Sequence, residues 1–258
     1  MDELFASARH DLRTFFAKTL LVRDYLLSPV LDARETALYL NDESVRAYMK
    51  RFQALSLDNE VRFERQMSEV LRAGPTGEGL MLIIKEYYAE IYRVLARTEI
   101  FLSGMNGDSA VTMVGTGGMP LSLLFMQHFS GARIVGLDVD AQSLRTGEQF
   151  VDFLCERHPS RYRRDAIDVR HADGAEYDYG ASDIVILSIH IENKARIIAR
   201  IVETAPRDRP VIVIERQVQG LGQYFYPNHG FDPHGLPIEK LASLCSSLLV
   251  STAYRIAR

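Results

Sequence analysis

Cysteine is scarce. Cys155 and Cys245 are the only two among 258 residues and form no Cys-x-x-Cys pair, which excludes a disulfide framework and a thiolate zinc site and points to a reducing compartment. A basic excess is missing too: 30 Lys and Arg stand against 34 Asp and Glu, a formal charge of -4, so there is no net positive field to hold a nucleic acid. Long apolar runs are absent. GLMLII at 79–84 and IVILSI at 184–189 fall far short of a bilayer span, and the opening MDELFASARHDLRTFF is too broken by polar residues for a secretory signal. What remains, 47% apolar and 25% charged, is globular usage, long enough for one large domain or two small ones. The expectation is a cytoplasmic protein whose partners are small molecules, with no nucleic acid and no membrane.

From Leu4 to about Leu102 the apolar residues recur at three and four, as in Val45, Tyr48, Met49 and Phe52, the spacing of helices that bury one face. Ser28-Pro29 and the Gly74-Pro75-Thr76-Gly77 cluster read as helix breaks, and Asn41-Asp42 as a cap. Past Gly107 the pattern changes to short β-branched runs, AVTMV at 110–114, RIVGL at 133–137, DIVILSI at 183–189 and PVIVIE at 210–215. Helical stretches at 119–129, 141–156 and 192–204 alternate with them, which is the mark of a parallel sheet with crossover helices. The fold class is therefore α/β: a helical domain over residues 1–105, then a Rossmann-like domain over 106–258.

The first strand runs into Gly115-Thr116-Gly117-Gly118-Met119-Pro120 and a helix. Glycines permit a tight bend and a close ligand, and free N–H groups at a helix start favour electronegative atoms. The next strand ends in Asp138-Val139-Asp140, which puts an acid where the ribose hydroxyls of a nucleoside would sit. Pro120 replaces the last glycine of the dinucleotide pattern, and the phosphate-loop motif is absent. His171-Ala172-Asp173 follows the third strand; Asp173 suits an adenine amino group or a helix cap. His190 ends the 184–189 strand at the crevice side, with structural and ligand roles both open. His229 and His234 lie in a Pro- and Gly-rich loop without acid or Cys neighbours at ligand spacing, so no metal site is expected. In the helical half Glu60 and Glu64 share a face, as do Tyr88, Tyr92, Leu95 and Glu99. On their own these read as a solvated face and a core or interface stripe; the Tyr-rich helix offers a surface for a homodimer.

In ordered pieces the sequence resembles the nicotianamine synthase family and its bacterial relatives that make opine-type metallophores. The stretch from Val114 to Ser122 is similar to the family's Gly-Ser-Gly-Pro-Leu-Pro-Leu-Thr loop, Asp138-Val139-Asp140 to its Asp-x-Asp strand end, and His171-Ala172-Asp173 to its Thr-Ala-Asp. Glu192-Asn193-Lys194, Arg216 to Gly220 and Tyr224-Phe225-Tyr226-Pro227 resemble later pieces. Glu60-x-x-x-Glu64 and Tyr88-x-x-x-Tyr92-x-x-Leu95-x-x-x-Glu99 resemble helical ones, so the likeness covers roughly 55–230. Gly118 stands for the usual Pro, and Ser188-Ile189-His190 for Ala-Leu-Val of the plant enzymes.

The resemblance implies a class I methyltransferase-like domain that takes S-adenosylmethionine as co-substrate. The reaction it implies moves the 3-amino-3-carboxypropyl group to the amine of an amino acid, with histidine suggested by the bacterial relatives, and releases 5'-methylthioadenosine. It implies catalytic roles for Glu64 and Tyr92. It places the nucleoside on Gly115, Thr116, Gly117, Pro120, Asp138, Val139, Ala172 and Asp173, and the acceptor against Glu60, Tyr88, His190, Arg216 and Tyr226. A planar Arg216 fork suits a substrate carboxylate or a structural ion pair. A small-molecule methyltransferase and a non-catalytic binding module are the alternatives.

Overall fold

A computed structural model describes residues 32–73, 89–246 and 249–256. Tyr88, Ser28-Pro29 and the Gly74 to Gly77 cluster lie outside them.

Among the described residues the chain begins with helices α1 (Ala33–Asn41), α2 (Glu43–Ala73) and α3 (Ala89–Ser103). The starts of α1 and α2 follow from side-chain chemistry. Asp32 accepts the Arg34 and Glu35 N–H groups at 2.7 and 2.8 Å while Glu35 reaches back to the Asp32 N–H at 2.9 Å, a capping box. Asp42 caps α2 without a reciprocal partner, accepting from Ser44 and Val45 at 2.9 and 3.1 Å, as its sequence position suggested.

The strands are β1 (Ala110–Val114), β2 (Arg133–Asp138), β3 (Ile167–His171), β4 (Ile184–Leu187) and β5 (Ile212–Val218), all parallel, then β6 (Ile238–Ser246) and β7 (Leu249–Ile256). Helices α4 (Leu121–Ser130), α5 (Ala141–Arg157) and α6 (Lys194–Thr204) connect the parallel strands. The order across the sheet is β3-β2-β1-β4-β5-β7-β6, with β7 antiparallel to both of its neighbours. The β6–β7 hairpin is an element the hydropathy pattern did not disclose. β6 is an edge strand exposed along most of its length, so it lacks the apolar alternation that marks a half-buried strand.

All four residues of β4 are buried, as a strand covered on both faces must be. Ile184 and Ile186 join the cluster that holds Phe52, Phe63, Ala96, Leu124 and Phe150, whereas Val185 and Leu187 join Ile197, Ile198 and Ile201 of α6. One face of the sheet thus packs on α2 to α5 and the other on α6. Phe52 and Phe63, both fully buried, bring α2 into the core of the sheet, so the apolar interior is continuous across Gly107. No described helix is long and apolar enough to cross a membrane.

The chain leaves β1 outward on one side through β2 and β3, and on the other through β4 and β5. That reversal opens a crevice at the strand carboxyl ends. The register pairs Val114 with both Leu137 and Leu187, so the three central strands end level and their following loops meet there.

Candidate active site

The bend after β1 is held by the neighbouring strand. Gly115 and Gly117 adopt φ of 77° and 66°, the left-handed region that favours glycine. The Gly115 and Thr116 N–H groups donate to the Leu137 carbonyl at 2.8 and 3.2 Å. Asp138 completes the brace: its Oδ2 accepts the Gly117 N–H at 2.8 Å and its Oδ1 the Asp140 N–H at 2.9 Å. Each oxygen keeps further acceptor capacity, so the carboxylate is oriented and still able to receive hydroxyl groups.

Beside it lies a cavity of about 380 Å³, bordered by Gly115, Asp138, Val139, Ala172, Asp173 and His190, within the range of small-molecule sites. Asp173 caps no helix: its Oδ1 accepts the Ala175 N–H at 2.8 Å in a turn, and the residue lines the cavity. Thr116, Gly117 and Pro120 are not among the lining residues. The Thr116 methyl faces Gly136, where an added Cβ would stand 2.7 Å from it, and Pro120 opens α4 against Gly147. These three shape the bend from behind. Ser188, Asn193 and Arg196, which also border the cavity, carried no signal of their own. The rule that every loop at the strand carboxyl ends faces the crevice could have found Ser188 and Asn193.

Helix α2 lays Glu64 on the glycine bend. Its Oε2 accepts the Gly118 N–H at 3.0 Å, a donor that the proline of the resembled loop would lack. An added Cβ would stand 3.0 Å from Oε1 at Gly117 and 2.9 Å from Oε2 at Gly118; the bare backbone is what admits the carboxylate. Burial pushes the Glu64 carboxyl up to about 7, against the pull of the Gly118 N–H, and the charges of Glu60 and Asp138 add to the rise.

One turn earlier on the same face, Glu60 is shared by two partners. Its Oε2 lies 3.3 Å from His190 Nε2, and its Oε1 accepts the Tyr226 hydroxyl at 3.4 Å. The His190 and Tyr226 rings meet edge to face at 5.2 Å. Tyr92, on α3, is held among Glu60, Glu64 and Arg216; burial and then the Glu60 charge lift its phenol well above the ordinary value. The Glu60 charge and burial do the same to Tyr226, so both hydroxyls stay protonated donors. Leu95, Ile189, Val218 and Leu249 form an apolar floor against the two tyrosines. Glu60, Glu64 and Asp138 together give this corner a negative field suited to cations.

Arg216 is engaged by the chain itself. Its Nε and Nη2 donate to Glu99 at 2.7 and 2.8 Å, with 4% and 0% of the two side chains exposed. Ser251 adds a donor to Glu99 at 3.1 Å. Of the two sequence readings the fork is therefore an internal ion pair, and any hold on a substrate carboxylate would have to use the remaining nitrogen. On the opposite face of β5, Lys194 donates to the Arg216 carbonyl at 2.5 Å and lies 3.5 Å from Glu215. Among the described residues no group of His, Cys, Asp and Glu is arranged to hold a metal.

The strand order, the reversed β7, and a glycine bend faced by an acid at the end of β2 define a Rossmann-like sheet of the class I methyltransferase type. More particularly, the fold is that of a nicotianamine synthase. A Glu-to-Gln variant of MtNAS in complex with S-adenosylmethionine superposes with a TM-score of 0.80 at 13% identity, covering 100% of this chain and 98% of the other. MtNAS in complex with MTA and tNA gives 0.82 at 13% identity, covering 100% and 95%. No protein-family model matches the chain, and no curated protein sequence does.

Proposed function

We propose that this protein transfers the 3-amino-3-carboxypropyl group of S-adenosylmethionine to the amine of an amino acid, releasing 5'-methylthioadenosine. The acceptor in this reading is histidine and the product a nicotianamine-like metallophore. The observation that carries it is Glu64, a carboxyl that burial pushes up to about 7, seated on the Gly118 N–H and within reach of the charges of Asp138 and His190, which border the cavity.

Every carbon bonded to a sulfonium is electrophilic, so the protein selects one by holding it in line with the nucleophile. Adenosine fits the cavity with its ribose hydroxyls on Asp138 and its base toward Val139 and Asp173. The amino-acid arm then points toward α2 and α3. The acceptor arrives as an ammonium, which has no lone pair and must lose one proton before attack. The α-ammonium of a free amino acid is a weaker acid than the Glu64 carboxyl, which burial pushes up to about 7, so the transfer is uphill, though less so than to an ordinary carboxylate. The sulfonium charge favours ionised Glu64 before reaction. The nitrogen then forms its bond to the arm carbon as the carbon–sulfur bond breaks, its electron pair staying on sulfur as a neutral thioether. Positive charge moves from sulfur to nitrogen, where Glu60 and the Tyr92 and Tyr226 hydroxyls surround it; acids beside the nitrogen stabilise that state more than the starting one. One proton is released per turnover.

A methyltransferase would share the cavity and Asp138, but its acceptor would meet the methyl carbon. The Glu60 and Glu64 pair at the arm end favours the arm. Incubation with S-adenosylmethionine and a panel of amino acids, including L- and D-histidine, read by mass, tests the reading. A gain of one aminobutyrate unit on a single acceptor is expected; a gain of a methyl group would refute it. Gly118→Ala should crowd Glu64 off its donor without straining the backbone, since the added Cβ meets only side-chain atoms. Melting temperature should hold, while turnover falls by about tenfold, the scale of one hydrogen bond to a charge, and its acid limb moves above pH 7.

A further inference from the structure

Each turnover leaves a proton on Glu64, and that proton has to leave before the next acceptor can be deprotonated. Glu64 is badly placed to discharge it directly: Oε2 is held by the loop N–H, and both carboxylate oxygens lie within about 3.0 Å of the Cβ positions of Gly117 and Gly118. The acid lies on the same helix face as Glu60, one turn away, a spacing that puts side chains within reach of one another. Glu60 is 24% exposed and touches His190, which is 38% exposed. Exposure thus rises from Glu60 to His190 at the solvent end of this set of protonatable groups.

We infer that His190, acting through Glu60, is the proton exit of this site, receiving the proton that Glu64 takes from the acceptor and passing it to water. The inference rests on the proposed function and adds a role to residues that otherwise only hold the acceptor. Tyr226 contributes geometry: by donating to Glu60 Oε1 it leaves Oε2 turned to the imidazole. The charged and titratable groups that face His190 are Glu60 and Glu64 from α2, Tyr226 beyond β5, and His229, which also faces Glu192 and whose own ionisation burial holds down. Lys194 also acts on His229, holding its ionisation down further, and Arg196 borders the same cavity as His190. Imidazole is suited to the hand-off because its ordinary pKa lies near that of Glu64.

The test uses the full chain with the wild type, His190→Gln and His190→Asn, measuring kcat, the acceptor KM, the solvent deuterium isotope effect and the response to added imidazole. 5'-Methylthioadenosine formation by the wild type comes first; its absence would remove the proposed function and this inference with it. Given that activity, both variants should melt like the wild type, lose about tenfold in kcat whatever the accompanying change in acceptor KM, and show a larger isotope effect, in the range of lost proton-transfer catalysis. Added imidazole should restore at least a third of the loss. A rise in KM at constant kcat, or a kcat loss that imidazole does not relieve, would make His190 an acceptor contact only and overturn the relay.

Discussion

Glu64→Gln is expected to lower kcat by about a hundredfold or more, the range of general-base loss, while S-adenosylmethionine binding stays within about twofold. In the wild type kcat/KM should rise with pH through about 7 as Glu64 ionises, and in the variant that limb should vanish. The same substitution should stabilise the fold. Glu64 is pushed from an ordinary 4.5 to about 7, so the folded chain binds this proton more tightly than the unfolded one. The stability linked to it is full below pH 4.5 and is lost as pH rises through 7. Glutamine keeps the neutral form at every pH. Unfolding at pH 8 should therefore show the variant more stable by at most about 3 kcal/mol, with the two proteins equal near pH 4. A variant that turns over normally would take Glu64 out of the chemistry, and one no more stable at pH 8 would mean the acid is solvated.

The second large effect concerns the pair that ties α3 to β5. Glu99→Ala leaves the Arg216 guanidinium, only 4% exposed, without its carboxylate and removes the acceptor of Ser251. Removing one partner of a buried ion pair costs about 3 to 5 kcal/mol, to be read as a lowered urea midpoint. Because desolvation offsets most of the attraction in such a pair, Glu99→Met combined with Arg216→Met should cost far less than the single change. A single-variant cost below about 1 kcal/mol would show that water reaches the pair. Both ends of this bridge lie beside the site, since Tyr92 is on α3 and the Arg216 charge acts on its phenol, so the double variant also separates support of the fold from electrostatic support of the phenol.

These two outcomes mark where sequence patterns run out. β1, β2, β4 and β5 are legible because buried parallel strands need consecutive β-branched residues, and Asp42 because capping is local. Asp138 is legible because a bend and an acid about twenty residues on are fixed by one βαβ unit. Contacts between distant segments are a different matter. Gly118 and Glu64 lie 54 positions apart and Arg216 and Glu99 lie 117 apart; nothing in the residues themselves says that an arginine in a buried strand will meet a glutamate on a helix. The resemblance brought Glu60, Glu64 and Tyr92 forward together, but only packing of Phe52 and Phe63 into the sheet explains how α2 comes to lie over the glycine bend. The β6–β7 hairpin stayed hidden for the opposite reason, an edge strand with little apolar face to betray it.

The central claim is that the bound sulfonium offers its four-carbon arm, not its methyl, to a nitrogen beside Glu64. Turnover with S-adenosylmethionine carrying one heavy-isotope label in the methyl and a distinguishable one in the arm decides this in a single mass spectrum. The account predicts the arm label on the amine product and the methyl label retained in 5'-methylthioadenosine. The methyl label on the amine, with the arm label left in S-adenosylhomocysteine, would contradict it.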